Sequence, residues 1–361
     1  MDSVTQAVFG AGIQGALLGR FQGRKALLYG AVIATLPDLD VFLGQDDPVS
    51  AMINHRGFSH SLFVLSGVAL VMTMALRAWR PSPHYSVGRL LLCIWLCLIT
   101  HPLLDAFTSY GTQLWWPLKP TPTSWSSLFI IDPFFTVPLI GVTLAGFLVG
   151  MSHRVPRACA WALAWCCVYI ATSLAFKHVV ETRFRDTLAA EGTKVARIFS
   201  TPAPFNILLW RVVGMVDRDA YVEGIVGVFD RQPFERARLP LSAKLAMDLP
   251  DSPLLPGLRW FTGDWLRYDE IGSNLVVSDL RMGLATGFYT FRFKMGEGQP
   301  HAWHPVVPSM WPTQRGGMAE LALLWARLQG KATMPLGDWE PRMHAMPTAR
   351  TEAGAGAAAA K

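Results

Sequence analysis

Seven side chains in the first half of the chain are of the types that hold metal ions: Asp38 and Asp40 in TLPDLD, His55 and His60 in HRGFSHS, His101 and Asp105 in THPLLDAFTSY, and Asp132 in IIDPF. Imidazole nitrogens and carboxylate oxygens together suit zinc, manganese or iron. His101 and Asp105 are four residues apart, so on one helix they face the same way and can grip one ion. Asp38 and Asp40 flank a leucine just after Pro37, which favours a turn at a helix end and brings two carboxylates close together. No matching set of lysines accompanies these groups, so a bound cation is the economical way to balance them. Each residue also has a plainer reading. The two aspartates could simply stop a helix, His55 and Arg56 could anchor at a membrane interface, and His101 could be a satisfied core histidine. Ser59 and Asp132 stand where helix N-caps stand, Asp132 with the favoured proline after it.

The elements that must carry these residues are hydrophobic. The chain has 361 residues, 51% hydrophobic and only 16% charged, with mean hydropathy +0.29, too apolar for an ordinary soluble domain. Five stretches come near the length a spanning helix needs, at 26–43, 61–79, 90–107, 130–150 and 158–176. A sixth, Val4 to Gly19, is short and rich in glycine and alanine. The amino terminus lacks a basic region and carries Asp2, so no cleaved secretory signal is expected. The expectation is a helical membrane bundle of five to six spans over residues 1–176.

Orientation follows from lysine and arginine, which concentrate in cytoplasmic loops. Arg20, Arg24 and Lys25, then Arg77, Arg80 and Arg89, then Arg154 and Arg157 mark three cytoplasmic connections. The alternate connections, 44–60 and 108–129, carry only Arg56 and Lys119 and should face outward. The second of them, with its flank, holds Tyr110, Trp115, Trp116 and Trp125, residues favoured at a membrane boundary. Six crossings put both termini outside; without the first, only the amino terminus moves. Either way Asp38, Asp40, His55, His60, His101, Asp105 and Asp132 all fall at the outer face, although they are scattered along the chain. Ionisable groups near a bilayer are costly and usually gather around a function.

After Phe176 the apolar runs stop. Segments such as NILLWRVVGMV (206–216), AYVEGIVGVF (220–229) and GFYTFRFKM (287–295) alternate with period two and predict strands. Residues 177–347 therefore read as a compact, β-containing extracytoplasmic α+β domain, and 348–361, ending GAGAAAAK, as a disordered tail.

The motifs DSVTQAVFGA, GAVIATLPDLDVF, HRGFSHSL, THPLLDAFTSYGTQLWWP and IIDPFFTVPL, in this order over residues 2 to 176, resemble the YdjM-like family of bacterial membrane-bound metal-dependent hydrolases. PAPFNILLWRVV is similar to the extension of longer members. The resemblance implies an integral protein of the bacterial inner membrane, with metal ligands at Asp38, Asp40, His55, His60, His101 and Asp105. Some relatives carry histidine where this chain has Gln6, which removes one ligand.

Seven N and O donors exceed the needs of one four-coordinate ion, so a two-ion site with a bridging water is an expectation. The chemistry expected is hydrolysis of an ester or phosphoester in a lipid, a lipid-linked carrier or an envelope polymer, with membrane lipids as surroundings. Asp40 or Asp132, if not a ligand, would take the water's proton, and Arg56 would steer an anionic substrate. The rival classes are a transporter and a metal-stapled structural protein; the first is disfavoured by the lack of charges in the middles of the spans. Net charge is +6 but dispersed, so no nucleic-acid partner is expected. The five cysteines fall in apolar segments and read as packing residues. His301 and His304 in HAWH lack an acidic companion cluster, and the tryptophans of RWFTGDW read first as core.

Overall fold

The computed structural model describes residues 1–42, 44–247, 249, 252–299, 302–313 and 316–346; His301 and the tail expected at 348–361 lie outside the described residues. The chain divides into two compact units, residues 1–44 with 55–174, and residues 45–54 with 175 onward. In chain order the helices are α1 (Ser3–Gln22), α2 (Lys25–Thr35), α3 (Pro48–Asn54), α4 (Leu62–Trp79), α5 (Val87–Ala106), α6 (Pro133–Val149) and α7 (Arg154–Ala190). A 3₁₀ segment, Leu36–Phe42, follows α2. Three helices, α4, α5 and α7, are long and apolar enough to cross a membrane. Of the other runs, α6 is an apolar helix of 17 residues, about 25 Å long. The run 26–43 is interrupted by the 3₁₀ segment, which leaves α2 with 11 residues, about 16 Å against a hydrocarbon core of about 30 Å.

The helices of the first unit alternate in direction, so the same ends gather. Asp2 caps α1 by accepting from the Thr5 amide at 3.0 Å, and the Asp2 amide itself donates to the Ile130 carbonyl, just before α6. At the other end Arg24, before α2, donates to the Leu148 carbonyl near the end of α6 at 3.1 Å. Two glycines let α1 and α2 touch. A Cβ on Gly30 would lie 2.2 Å from the Gly10 carbonyl oxygen, and one on Gly10 would lie 2.3 Å from Ala34 Cβ. Only residues without a side chain allow that approach.

The connection between α5 and α6 folds back over the helix ends. Leu62 donates to the Leu114 carbonyl and Gln113 to that of Arg56, while the Ser61 hydroxyl donates to the Trp116 carbonyl at 2.6 Å. These bonds hold the HRGFSH stretch in place. Ser61, not Ser59, is the N-cap of α4.

The second unit contains two four-stranded antiparallel meanders: β1 (Arg197–Pro202), β2 (Leu209–Met215), β3 (Ala220–Gly227), β4 (Glu235–Pro240), then β5 (Leu266–Ile271), β6 (Asn274–Asp279), β7 (Arg292–Gln299) and β8 (Ala302–Met310). The strand readings at 206–216 and 220–229 correspond to β2 and β3; that at 287–295 starts late, at Arg292. Residues 45–54, read as part of an outer loop, contribute α3 to this unit, where it packs on β8. The end of α7 packs on the first sheet, with Phe184 filling the space left by Gly214 and Gly224. Helices α8 (Lys244–Met247), α9 (Leu255–Thr262), α10 (Met318–Leu328) and α11 (Trp339–His344) complete it. Of the tryptophans of RWFTGDW, Trp265 is a core residue and Trp260 is half-buried, and His304 is exposed on β8.

Candidate metal centre

Four of the seven sequence candidates converge. Asp38, His60, His101 and Asp105 each present one donor atom, and the four atoms lie within 4.8 Å of one another. His60 comes from the short 3₁₀ turn before α4 and Asp38 from the one after α2; His101 and Asp105 share the last turns of α5. His101 Nε2 is 3.1 Å from Asp38 Oδ1 and 3.5 Å from Asp105 Oδ2. His60 Nε2 is 3.6 Å and 3.2 Å from the same two oxygens. Bonds of about 2.0–2.2 Å to a tetrahedral ion put neighbouring ligands about 3.3–3.6 Å apart. The four observed nitrogen–oxygen separations overlap that range.

Hydrogen bonds behind the donors decide which atoms face the centre. His101 Nδ1 lies 2.6 Å from the Ala34 carbonyl oxygen, which can only accept, so Nδ1 donates and a neutral ring keeps its lone pair on Nε2. At His60 the argument runs through Ser59. The Ser59 hydroxyl donates to Asp40 Oδ2 at 2.6 Å, leaving its oxygen to accept from His60 Nδ1 at 2.9 Å. Both rings thus turn Nε2 lone pairs toward two carboxylate oxygens. His60 Nε2 and Asp105 Oδ2 are buried and make no hydrogen bond within the described residues. Buried polar atoms left without partners are costly, and a cation between the four donors could satisfy them all.

The far oxygen of Asp105 is tied down separately. Oδ1 accepts from Gln6 Nε2 at 3.2 Å, lies 3.2 Å from Arg56 Nη2, and meets the Met1 amino group. Gln6 also donates to the His101 carbonyl at 3.1 Å, so it bridges the two α5 residues. Arg56 adopts a left-handed backbone, φ 60°, and is buried, its guanidinium 4.9 Å from the centre of the Tyr110 ring. It faces Asp105 from the protein side.

The remaining candidates stand apart from the four donors. Asp40 sits behind His60, accepting from the Arg56 amide at 3.1 Å and from Ser59, with His55 Nδ1 3.0 Å from its other oxygen. The His55 side chain is 29% exposed, and its ring lies 5.9 Å from that of His60 and 5.8 Å from that of Tyr110. Asp132 caps α6, accepting from the amides of Phe134 and Phe135, and its second oxygen accepts from the Tyr169 hydroxyl at 2.8 Å. Of the four donors only Asp38 reaches solvent, with 27% of its side chain exposed. Among the described residues this is the one group of three or more histidine, cysteine or acidic side chains close enough to share an ion.

Ser59 and Ala34 complete the centre, and sequence reading gave neither that part, whereas Gln6, read as at most a polar contact, makes such contacts. A serine beside a histidine carries no signal of its own, and a backbone carbonyl carries none at all. The second unit hides a further polar arrangement. Arg211 and Glu223, both wholly buried, pair on β2 and β3, and Tyr289 donates to Glu223 at 2.7 Å. Arg267, on β5, donates to Asp269 at 2.8 Å and to the Tyr221 hydroxyl at 3.3 Å, which links the two sheets.

Comparison with known proteins bears on the first unit. A match covers 143 residues of "Uncharacterized protein YfhP" of Bacillus subtilis (strain 168), with 30% identity over 37% of this chain and 42% of that protein's length. Another covers 132 residues of "Inner membrane protein YbcI" of Escherichia coli (strain K12), with 28% identity over 36% of this chain and 72% of that protein. The match to YfhP thus spans less than half of that relative's length. No solved structure matches the chain. The model of the YdjM inner membrane protein family matches residues 1–180, which hold all four donors and every residue that orients them. Through its first 180 residues the chain belongs to the YdjM inner membrane protein family.

Proposed function

We propose that the protein is a metal-dependent hydrolase of the inner membrane that cleaves an ester or phosphoester of a lipid, lipid-linked or envelope molecule at the outer face. The observation that carries this reading is the set of four mutually close donors, two of them buried and otherwise unbonded. The four donor positions suit one divalent ion, zinc, manganese or iron, in place of the two-ion site suggested by counting residues. Such an ion would supply Lewis acidity and lower the pKa of a bound water. Asp38 is the one partly exposed donor, so substrate and water meet the centre on its side. Asp40 orients His55 through Nδ1, which leaves Nε2 of that partly exposed imidazole to carry the proton between water and leaving group. Arg56 offsets the charge of buried Asp105, and Asp132 fixes the start of α6; in this reading both position the centre and neither touches substrate.

A second reading has a specific observation behind it. Four protein donors can close a tetrahedral site, as structural zinc sites do, and here they join three separate stretches of chain. Elemental analysis of the detergent-purified protein, beside the His60→Ala/His101→Ala double variant, tests the centre itself; about one equivalent of divalent metal, lost in the variant, is expected. A panel of lipid esters and phosphoesters then tests the reaction. Turnover that a chelator abolishes and added metal restores supports the hydrolase, with Asp40→Asn keeping its metal but losing at least about tenfold in rate. A metal-loaded protein that stabilises on binding and turns over no ester in the panel is the staple instead.

A further inference from the structure

Helix α7 carries no charged residue between Arg157 and Lys177, so the hydrocarbon boundary falls close to Phe176, with Lys177 at headgroup level. In the second unit the Phe176 ring lies 6.1 Å from that of Phe229, edge to face at 74°. Phe229 is 73% exposed and sits in the loop between β3 and β4. Its neighbours are all held. Arg183 of α7 donates to the carbonyls of Gly227 and Val228, Val228 is buried and its amide donates to the Leu208 carbonyl, and Asp230 is paired with Arg327.

The loop between β1 and β2 lies at the same end of the sheet, because Leu209 pairs with Gly227. It presents Phe205, 39% exposed on a left-handed backbone, φ 66°. Arg231, next to Asp230, is exposed and cationic. Two aromatic rings projected from braced loops, level with the point where a spanning helix leaves the bilayer and accompanied by an exposed arginine, match the chemistry of an anionic membrane interface.

We propose that the β1–β2 and β3–β4 loops of the second unit, led by Phe229 and Phe205, insert into the headgroup region of the bilayer beside α7. The sheet then stands end-on to the membrane, with the β2–β3 turn at Asp217 to Asp219 pointing away from it. This reading uses no feature of the metal centre and stands whether or not an ion binds there.

Spin labels test it on the full chain in nanodiscs of phosphatidylethanolamine and phosphatidylglycerol. A label is attached at Phe229→Cys, Phe205→Cys or, as control at the opposite end of the same sheet, Arg218→Cys, each with exposed Cys167→Ser. Collision with oxygen, which favours lipid, is compared with collision with a water-soluble nickel chelate. The expected ratio is severalfold higher at 229 than at 218, with 205 following 229. Equal ratios at 229 and 218 overturn the proposal, and so does a label at 229 shielded from both reagents, which marks protein burial. Since Phe229 is 73% exposed, its replacement leaves the core intact, and an unchanged circular dichroism spectrum certifies each labelled protein.

Discussion

Ser59 lies outside the four donor groups yet sets the state of one of them. Its single hydroxyl proton goes to Asp40 and its oxygen receives the Nδ1 proton of His60, so the imidazole lone pair is turned inward. Ser59→Ala removes that constraint without touching a donor. Groups that orient metal ligands typically contribute 10–100-fold in affinity. We expect Ser59→Ala to lower metal affinity by about that factor, measured by competition with a chromogenic chelator, and Ser59→Thr to restore most of it. Unchanged affinity in the alanine variant would falsify the tautomer argument. The types of residue at this centre were readable from the chain, because histidine and aspartate are conspicuous in apolar surroundings. Which of them present atoms to a common point was not: Asp40 and His55 differ from Asp38 and His60 only in where a turn directs them.

The helix pair α1 and α2 is the element on which the geometry depends. Gly10 and Gly30 let the two backbones meet, and α2 then carries the Ala34 carbonyl to His101 Nδ1 and the following 3₁₀ segment carries Asp38 to Nε2. A leucine at Gly30 must displace the backbone of α1, at a cost of at least about 1–3 kcal/mol by analogy with overpacked cores. Gly30→Leu should therefore lose bound metal although no ligand is altered. Gly67→Leu on α4, where a Cβ meets nothing within 4 Å, should keep it. Metal content after gel filtration of both variants decides the matter; equal content in the two would show that the close approach does not position the centre. Along the chain, GAGIQG reads as part of a short segment rich in glycine and alanine and GAVIAT as part of an apolar run. The reason such glycines matter is a neighbour across the interface, which periodicity within one segment does not report.

For the molecule as a whole, the connection between Asp40 and His55 carries a topological consequence. Residues 45–54 leave the first unit at Gly44, form α3 within the second, and return at His55. Ten residues cannot cross a bilayer of about 30 Å and come back while forming a helix on the way. The second unit and the connection between Asp40 and His55 are thus expected to report the same compartment. A periplasm-active reporter fused after residue 185 and an impermeant thiol label at Asp47→Cys should both register as external in intact cells, as the distribution of arginine and lysine requires. An internal signal from either one would overturn the orientation.

Hydropathy and residue type, read along the chain, were enough for the membrane class, the alternating direction of the helices, the change of composition after Phe176 and the clustering of acids and imidazoles at one end of the bundle. Each of these depends on local chemistry, on whether a segment prefers lipid or water, and segments declare that one at a time. Tertiary structure alone decided that residues 45–54 serve the second unit and that Arg211 and Glu223 meet in a sheet core. Those outcomes depend on what a residue faces from another part of the chain, where a carbonyl, a missing side chain or an opposite charge selects one of several arrangements that the local sequence permits equally well.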